Sequence, residues 1–340
     1  MRAIGFLVFA GAVVLTIAAV SGCADSRKSR AQESASKPAR LPVEGLCKPP
    51  EVPSADLAHK PGYRQFAVSV TNASGLPISG LKQSDFVVSE ESRKFPIDYF
   101  REHEPVAIEL LVDTSGSMEP KLSTVKSRLG NLVENLNRCD EVELFAFSAK
   151  PYLLQSFTTN HQMAAKQMEL FHAYGQTSLY DATDVALQQL AEADYPNRTI
   201  ILITDGIDNT SKATEEEVAT RARKENVPIY AIGIGEPERS RYSFGALLVS
   251  ADAERVDDKS LQTLSAASGG RTFIVPGTTE DAGNGFMNAL SAIADTIARD
   301  YAIGVVIPKD ATPGSVNVAV VNRPDLVVRA RVITSNPYSP

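Results

Sequence analysis

The sequence of 340 residues predicts an α/β fold: a doubly wound, mostly parallel sheet inserted in a small β-sandwich that both chain ends build. Three observations lead to it. Between residues 105 and 299, short apolar runs alternate with segments of helical periodicity. Some of these runs are apolar almost throughout, as parallel strands covered on both faces must be. The segments 64–104 and 300–334 instead alternate apolar and polar residues, which is typical of half-buried antiparallel strands.

The predicted elements of the core follow each other in strand and helix order. Strands are expected at 106–112, 142–147, 152–157, 199–204, 228–234 and 271–275. The segment 152–157 is expected to be an edge hairpin. Helices are expected at 122–136, 161–171, 179–191, 214–225, 258–267 and 280–298. Right-handed crossovers then place helices on both faces of the sheet. In such sheets, ligands bind outside the carboxyl ends of the strands.

The two flanks of the core carry the strand patterns of the sandwich. The expected strands are 66–71, 85–89 and 97–100 before the core, and 301–307, 316–320 and 328–332 after it. Neither flank is long enough to be stable alone, because isolated hairpins are marginal. We therefore expect the flanks to pair with each other around the inserted core; two separate β appendages are the alternative.

Composition excludes several classes of protein. The chain is 43% hydrophobic and 22% charged, which is globular, and its net charge is −7. Such an acidic balance argues against a nucleic-acid partner, which requires clustered Lys and Arg. Three cysteines and four scattered histidines give neither a disulfide scaffold nor a zinc site at the usual spacing. Any metal is therefore expected to be held by oxygen.

The first residues indicate export. Arg2 precedes an uncharged apolar run from Ala3 to Val20, and small residues then lead to Cys23. This ending resembles the bacterial lipobox, which implies that residues 1–22 are a signal peptide and that Cys23 becomes a lipid-modified N-terminus. Acyl chains would hold the protein on the cell envelope, with an outer membrane or the cell surface favoured because Ala24 follows the cysteine. A run of 18 residues also leaves an uncleaved membrane helix open.

Residues 23–63 are charged and rich in proline, with little apolar periodicity, and are expected to form a flexible tether. Cys47 lies in this tether and Cys139 lies in the core. Outside the cytoplasm two leftover thiols can pair, so a bridge that fixes the tether to the folded part is one expectation. Two unpaired thiols are the other.

Oxygen-bearing side chains gather where the predicted strands end. Asp113, Ser115 and Ser117 follow the first core strand, Asp205 follows the strand at 199–204, and Thr177 precedes a helix on the same side. Parallel strands present their carboxyl ends at one edge, so these side chains are expected to meet there. Carboxylates with hydroxyls suit a hard cation such as Mg²⁺. Separately, each motif is only an ordinary helix cap or turn.

At these residues the sequence resembles the von Willebrand factor type A (VWA) domain, whose metal-ion-dependent adhesion site has the same motifs in the same order. The resemblance covers about 105–299. It implies a Rossmann-like sheet, Mg²⁺ or Mn²⁺ as the cofactor, Ser115 and Ser117 as direct ligands, Thr177 as a ligand when the partner is bound, and Asp113 and Asp205 as anionic supports. With its flanks, the chain is similar to VWA-related proteins of acidobacteria.

The resemblance implies a binding protein whose partner supplies an acidic side chain to the metal. Asp181 and Asp208 are interpreted as structural, binding their own loops. An enzyme is not expected, because no phosphate loop, dinucleotide fingerprint or nucleophile elbow is present. The alternative function is a structural scaffold of an envelope assembly, in which the metal only stabilises loops.

Overall fold

The computed structural model describes residues 55–205, 207–237, 255–277, 280–308 and 316–333. The predicted signal peptide, Cys23 and Cys47 lie outside these ranges, so the lipid anchor and the Cys47–Cys139 bridge stay predictions. Cys139 is half-buried. Across the described residues, no helix combines the length and the apolar character needed to cross a membrane.

Before the core, the chain forms a short helix and four strands. A single helical turn, α1, lies inside the stretch predicted as a tether. These elements are α1 Ala55–Ala58, β1 Tyr63–Thr71, β2 Phe86–Glu90, β3 Arg93–Phe95 and β4 Tyr99–Glu102.

The core follows, with helices and strands alternating as predicted. Its strands are β5 Ala107–Asp113, β6 Glu141–Phe147, β7 Pro151–Thr158, β8 Arg198–Thr204, β9 Ile229–Ile234, β10 Glu236–Pro237, β11 Arg255–Val256 and β12 Thr272–Val275. Its helices are α2 Leu122–Glu134, α3 His161–Gln167, α4 Leu179–Leu190, α5 Glu215–Glu225, α6 Asp258–Ser268 and α7 Glu280–Ala298. Three strands complete the chain, namely β13 Tyr301–Val306, β14 Asn317–Val320 and β15 Val327–Ile333.

The core sheet has six strands in the order β12-β9-β8-β5-β6-β7. All neighbours are parallel except the edge strand β7, which is antiparallel to β6. Helices α2, α3 and α7 supply the apolar side chains on one face, and α4, α5 and α6 supply those on the other. The predicted doubly wound sheet is confirmed. Because the chain moves from β5 to β6 on one side and returns to β8 on the other, the winding reverses between β5 and β8.

The flanks form two antiparallel sheets, β15-β1-β13-β4 and β14-β2-β3, which share one apolar cluster. Strand β1 pairs with both β13 and β15, so the two chain ends build the sandwich together, as predicted. Tyr301 lies at its centre, with its ring 5.1 Å from that of Phe86 and 5.9 Å from that of Phe100. The sandwich is therefore a discontinuous module interrupted by the core.

A buried polar cluster joins the core to the sandwich. Asp300, between α7 and β13, is buried, and burial raises the pKa of its carboxyl to about 6 although the Arg331 charge lowers it. Arg331 on β15 donates to Asn197 Oδ1 in the core at 2.7 Å. His103 donates its backbone N–H to Asp300 O at 3.1 Å, and its Nδ1 lies 2.7 Å from Ala298 O. Both crossings between the modules are thus hydrogen-bonded.

Two carboxyl groups lie inside the core on neighbouring strands. Glu109 on β5 and Glu143 on β6 face each other in register, and both are almost fully buried. Neither side-chain oxygen of Glu109 has a hydrogen-bond partner among the described residues. Burial, together with the Glu143 charge, raises the pKa of Glu109 well above its ordinary value of 4.5. The folded protein therefore binds this proton more tightly than the unfolded chain does.

This proton makes stability depend on pH. Above the ordinary carboxyl pKa, folding takes up the proton, so stability is lost as pH rises towards the raised folded-state pKa of Glu109. We expect Glu109→Gln, which does not titrate, to reduce this loss by up to about 1.4 kcal/mol per pH unit. Urea unfolding between pH 5 and 8 measures it, with the exposed Glu134→Gln as control. Equal slopes in the wild type and Glu109→Gln would contradict the prediction.

Candidate metal centre

The site lies at the carboxyl ends of the adjacent strands β5 and β8, where the winding of the sheet reverses. Asp113 is the last residue of β5, and Asp205 directly follows β8. Their exposed fractions are 0% and 2%. Both carboxylates therefore meet at one edge of the sheet, as the sequence predicts.

Asp113 is held by two hydrogen bonds. Its Oδ1 accepts the backbone N–H of Ser115 at 2.7 Å, and its Oδ2 accepts the Thr204 hydroxyl at 2.6 Å. Burial raises the pKa of the Asp113 carboxyl to about 6, whereas these hydrogen bonds lower it. The Asp113 carboxylate is thus oriented by one hydrogen bond from the loop after β5 and one from the end of β8.

Hydroxyls connect this loop to the second carboxylate. Ser115 Oγ lies 3.2 Å from Ser117 Oγ, and Ser117 donates its hydroxyl to Asp205 Oδ1 at 2.8 Å. Four of the five predicted site residues, Asp113, Ser115, Ser117 and Asp205, therefore form one hydrogen-bonded series.

Thr177, the fifth predicted site residue, lies in the loop before α4. Its backbone N–H donates to Asn209 Oδ1 at 3.0 Å, and its carbonyl accepts the Asn209 N–H at 3.0 Å. The backbone N–H of Gly116 donates to Gly175 O at 3.0 Å, which joins this loop to the loop after β5. Three separate loops are thus cross-linked around the two carboxylates.

The two further acidic residues support the loop at 207–213. Asp181 Oδ1 accepts the backbone N–H groups of Lys212 and Ala213 at 3.0 and 2.8 Å. Asp208 Oδ1 accepts the Ser211 hydroxyl at 2.5 Å. Asp208 thus binds its own loop, as interpreted from the sequence, whereas Asp181, in the first turn of α4, binds the separate loop at 212–213.

One residue of the site was missed from the sequence. Lys121, which precedes α2, is 3% exposed and makes an ion pair with Asp205 Oδ2. Its ammonium also lies 3.4 Å from the Ser117 carbonyl oxygen. A signal was available, because a lysine at the positive N-terminal end of a helix is unfavourable unless an anion compensates it.

The donor set fits a divalent ion. Oxygen donors of two buried carboxylates and two serine hydroxyls converge, and these are ligands that Mg²⁺ and Mn²⁺ accept. Within the described ranges, no three His, Cys, Asp or Glu side chains form a metal-ligating group, so hydroxyls have to complete this one. Asp113, Ser115, Ser117, Thr177 and Asp205 are the residues that would hold the ion.

Exposed apolar side chains lie beside the site. Tyr174 is 54% exposed and Ile207 is 46% exposed. Tyr174 donates its backbone N–H to Thr114 O at 2.9 Å, and its ring centre lies 6.5 Å from that of Tyr152. Ile207 lies two residues after Asp205. The loops that carry the site thus also present exposed apolar side chains.

Several solved structures are similar to parts of this chain. A von Willebrand factor type A protein from Catenulispora acidiphila has a TM-score of 0.46 and 14% identity, over 81% of this chain and 74% of that one. BatB, a conserved hypothetical protein of Bacteroides thetaiotaomicron, has a TM-score of 0.43 and 19% identity, over 56% and 98%. Proximal thread matrix protein 1 from the mussel byssus, with a zinc-occupied MIDAS motif, has a TM-score of 0.47 and 15% identity, over 61% and 49%.

Among curated proteins, an uncharacterized protein of Borreliella burgdorferi is 26% identical over 183 residues. The match covers 49% of this chain and 53% of that relative, so the chain spans about half the relative's length. The profile of the von Willebrand factor type A domain matches residues 108–284, more than half of the chain and both strand ends that carry the site. The chain therefore belongs to the von Willebrand factor type A domain family.

Proposed function

We propose that this protein is a metal-dependent protein-binding module on a lipid-anchored, exported chain. Asp113, Ser115, Ser117, Thr177 and Asp205 would hold Mg²⁺ or Mn²⁺, and a protein partner would supply an acidic side chain. The observation that carries the proposal is the hydrogen-bonded series of serine hydroxyls between two buried carboxylates at the carboxyl edge of the sheet.

Charge supports a bridging cation. The protein carries a net charge of −7, so it would repel an acidic partner unless a cation lies between them. Two carboxylates and neutral hydroxyls would hold a divalent ion without cancelling its electrophilic character, and a carboxylate of the partner could then bind to it. The protein's own residues orient the oxygens and exclude water from the carboxylates beneath.

The apolar side chains beside the site support a protein partner over a free small anion. Aromatic residues are enriched where protein interfaces bind strongly, and Tyr174 and Ile207 offer such contacts next to the carboxylates. A partner with an acidic residue flanked by apolar ones would meet both features together.

The scaffold remains the second candidate function, and one observation favours it. The loops at 113–121, 174–178 and 205–210 are cross-linked by the protein's own hydrogen bonds, and Lys121 compensates Asp205. Such loops could serve an assembly without a partner at the metal. Partner capture with and without EDTA separates the two, because a scaffold predicts unchanged capture.

Asp113→Asn keeps the shape of the buried side chain and removes its charge. We expect metal binding to weaken at least about tenfold and EDTA-sensitive partner capture to fall with it, since a carboxylate ligand contributes through charge. Calorimetry with MnCl₂ and pull-down from the native envelope measure these. Ser178→Ala, which removes a hydroxyl bonded to Ser148 O in the same region, is the control. Unchanged Mn²⁺ affinity in Asp113→Asn would contradict the assignment.

Tyr174→Ala separates the partner from the metal. We expect capture of the partner to fall by about fivefold or more, because an exposed interface tyrosine commonly contributes over about 1 kcal/mol, while Mn²⁺ affinity stays that of the wild type. Leu76→Ala, which removes an exposed leucine of the sandwich, should change neither. Equal capture by Tyr174→Ala and the wild type would remove Tyr174 from the interface.

Cys23→Ser tests the anchor. The substitution removes the thiol of the lipobox-like stretch, so we expect the wild type to incorporate labelled palmitate and to lose residues 1–22, and Cys23→Ser to do neither. Cys47→Ser, in the predicted tether, should incorporate palmitate and be cut like the wild type. A wild-type protein that carries no palmitate and keeps an intact N-terminus by mass spectrometry would favour the uncleaved membrane helix instead.

A further inference from the structure

The ion pair between Lys121 and Asp205 places a cation inside the site proposed for the metal. The side chains of Lys121 and Asp205 are 2% and 0% exposed, so the pair is screened from water. One carboxylate oxygen of Asp205 accepts a hydrogen bond from the Lys121 ammonium, and the other accepts one from the Ser117 hydroxyl. Both oxygens of Asp205 are therefore occupied by groups of the protein itself.

The position of Lys121 has no other favourable explanation in its own element. It is the N-cap residue of α2 and makes no side-chain cap hydrogen bond. The positive end of a helix dipole repels an ammonium, and a lysine side chain loses rotamer freedom when it is buried. The ion pair with Asp205 and the contact with the Ser117 carbonyl oxygen help to compensate these costs.

Charge balance then limits what the site can hold. Asp113 and Asp205 contribute two negative charges when ionised, and Lys121 leaves one of them uncompensated. A divalent ion with Lys121 still in place would bury a net positive charge, whereas a divalent ion without it would leave the site neutral. Burying an unbalanced charge is costly in this solvent-excluded setting.

We propose that Lys121 is a built-in counter-cation: its ammonium binds Asp205 when no divalent ion is present, and the divalent ion binds by displacing it. The inference rests on the proposed metal site but concerns the loading of that site, not the partner. Metal occupancy then depends on a competition within the protein, which weakens binding and makes the site respond to the divalent-ion concentration around it.

Lys121→Met keeps an unbranched side chain one atom shorter than lysine and removes the competing charge. We expect it to bind Mn²⁺ about tenfold or more tightly than the wild type, in the range of ordinary couplings between charged groups. Without metal it should unfold at a lower temperature, because Asp205 is left buried and unpaired. Saturating MnCl₂ should therefore raise its melting temperature by more than it raises that of the wild type.

The matched control is Lys126→Met in the same helix, whose ammonium donates to the Glu169 carbonyl oxygen at an exposed position. This variant should show wild-type Mn²⁺ affinity. A Lys121→Met protein that binds Mn²⁺ no more tightly than the wild type would overturn the proposal. So would a loss of stability that is the same with and without Mn²⁺, since a merely structural lysine predicts that.

A measurement on the wild-type protein avoids any folding defect of the variant. Amine-reactive labelling followed by mass spectrometry reports the accessibility of Lys121, with Lys126 as an internal reference in the same helix. We expect labelling of Lys121 to increase severalfold when MnCl₂ is added and to stay low in NaCl. Labelling that is unchanged at a Mn²⁺ concentration shown to saturate the site would mean that the lysine is not displaced.

These results separate the two proposals. Tighter Mn²⁺ binding by Lys121→Met, combined with partner capture that EDTA does not affect, would support the counter-cation and contradict the metal-dependent module. EDTA-sensitive capture, combined with equal Mn²⁺ affinities of the wild type and Lys121→Met, would support the metal-dependent module and contradict the counter-cation. Absence of Mn²⁺ binding in both proteins would overturn both.

Discussion

The constraint on which the site depends is the burial of Asp113 and Asp205 at the ends of neighbouring strands. Parallel strands β5 and β8 deliver both carboxylates to one edge, and the loops above remove them from water. Such groups need compensation, because an isolated buried charge is costly. The protein provides it with the hydroxyls of Thr204 and Ser117 and the ammonium of Lys121. The loops around the edge can be understood as the means of holding these compensating groups in place.

The discontinuous sandwich affects the carboxyl edge of the core sheet only through its attachment to the core. The chain enters the core at residues 103–106 and leaves it at 299–300, and both crossings contact the cluster around Asp300 and Arg331. The carboxyl ends of β5 and β8 lie at the other end of these strands from the entry at 107. The sandwich is therefore joined to the core at the end of the sheet opposite the candidate site.

Much of the fold could be predicted from the sequence. Buried parallel strands such as residues 200–204 of β8 are nearly continuous apolar runs, and helices such as α2 repeat their apolar residues at helical spacing. Strand β3 was missed, since Arg93-Lys94 carries no apolar pattern and its hairpin turns at Glu91, a residue with positive φ, without a glycine. The convergence of Asp113, Ser117 and Asp205 could also be predicted, because parallel strands present their carboxyl ends at one edge of the sheet. The pairing of Lys121 with Asp205 could not. The position of Lys121 at a helix start indicates that an anion is needed, but it does not identify Asp205, which lies 84 positions away.

The structure contains two pairs of buried carboxyl groups. Comparing them shows why one pair forms a candidate binding site while the other only lowers the stability of the folded protein. Glu109 and Glu143 face each other inside the sheet, where the pKa of Glu109 is raised and its oxygens find no partner among the described residues. Asp113 and Asp205 also lie on adjacent strands, but at the edge, where serine hydroxyls and a lysine can reach them. The chemistry is the same, and position along the strand decides the outcome. Within the sheet a carboxyl group is compensated most simply by a proton, whereas at the carboxyl edge the ammonium of Lys121 reaches it.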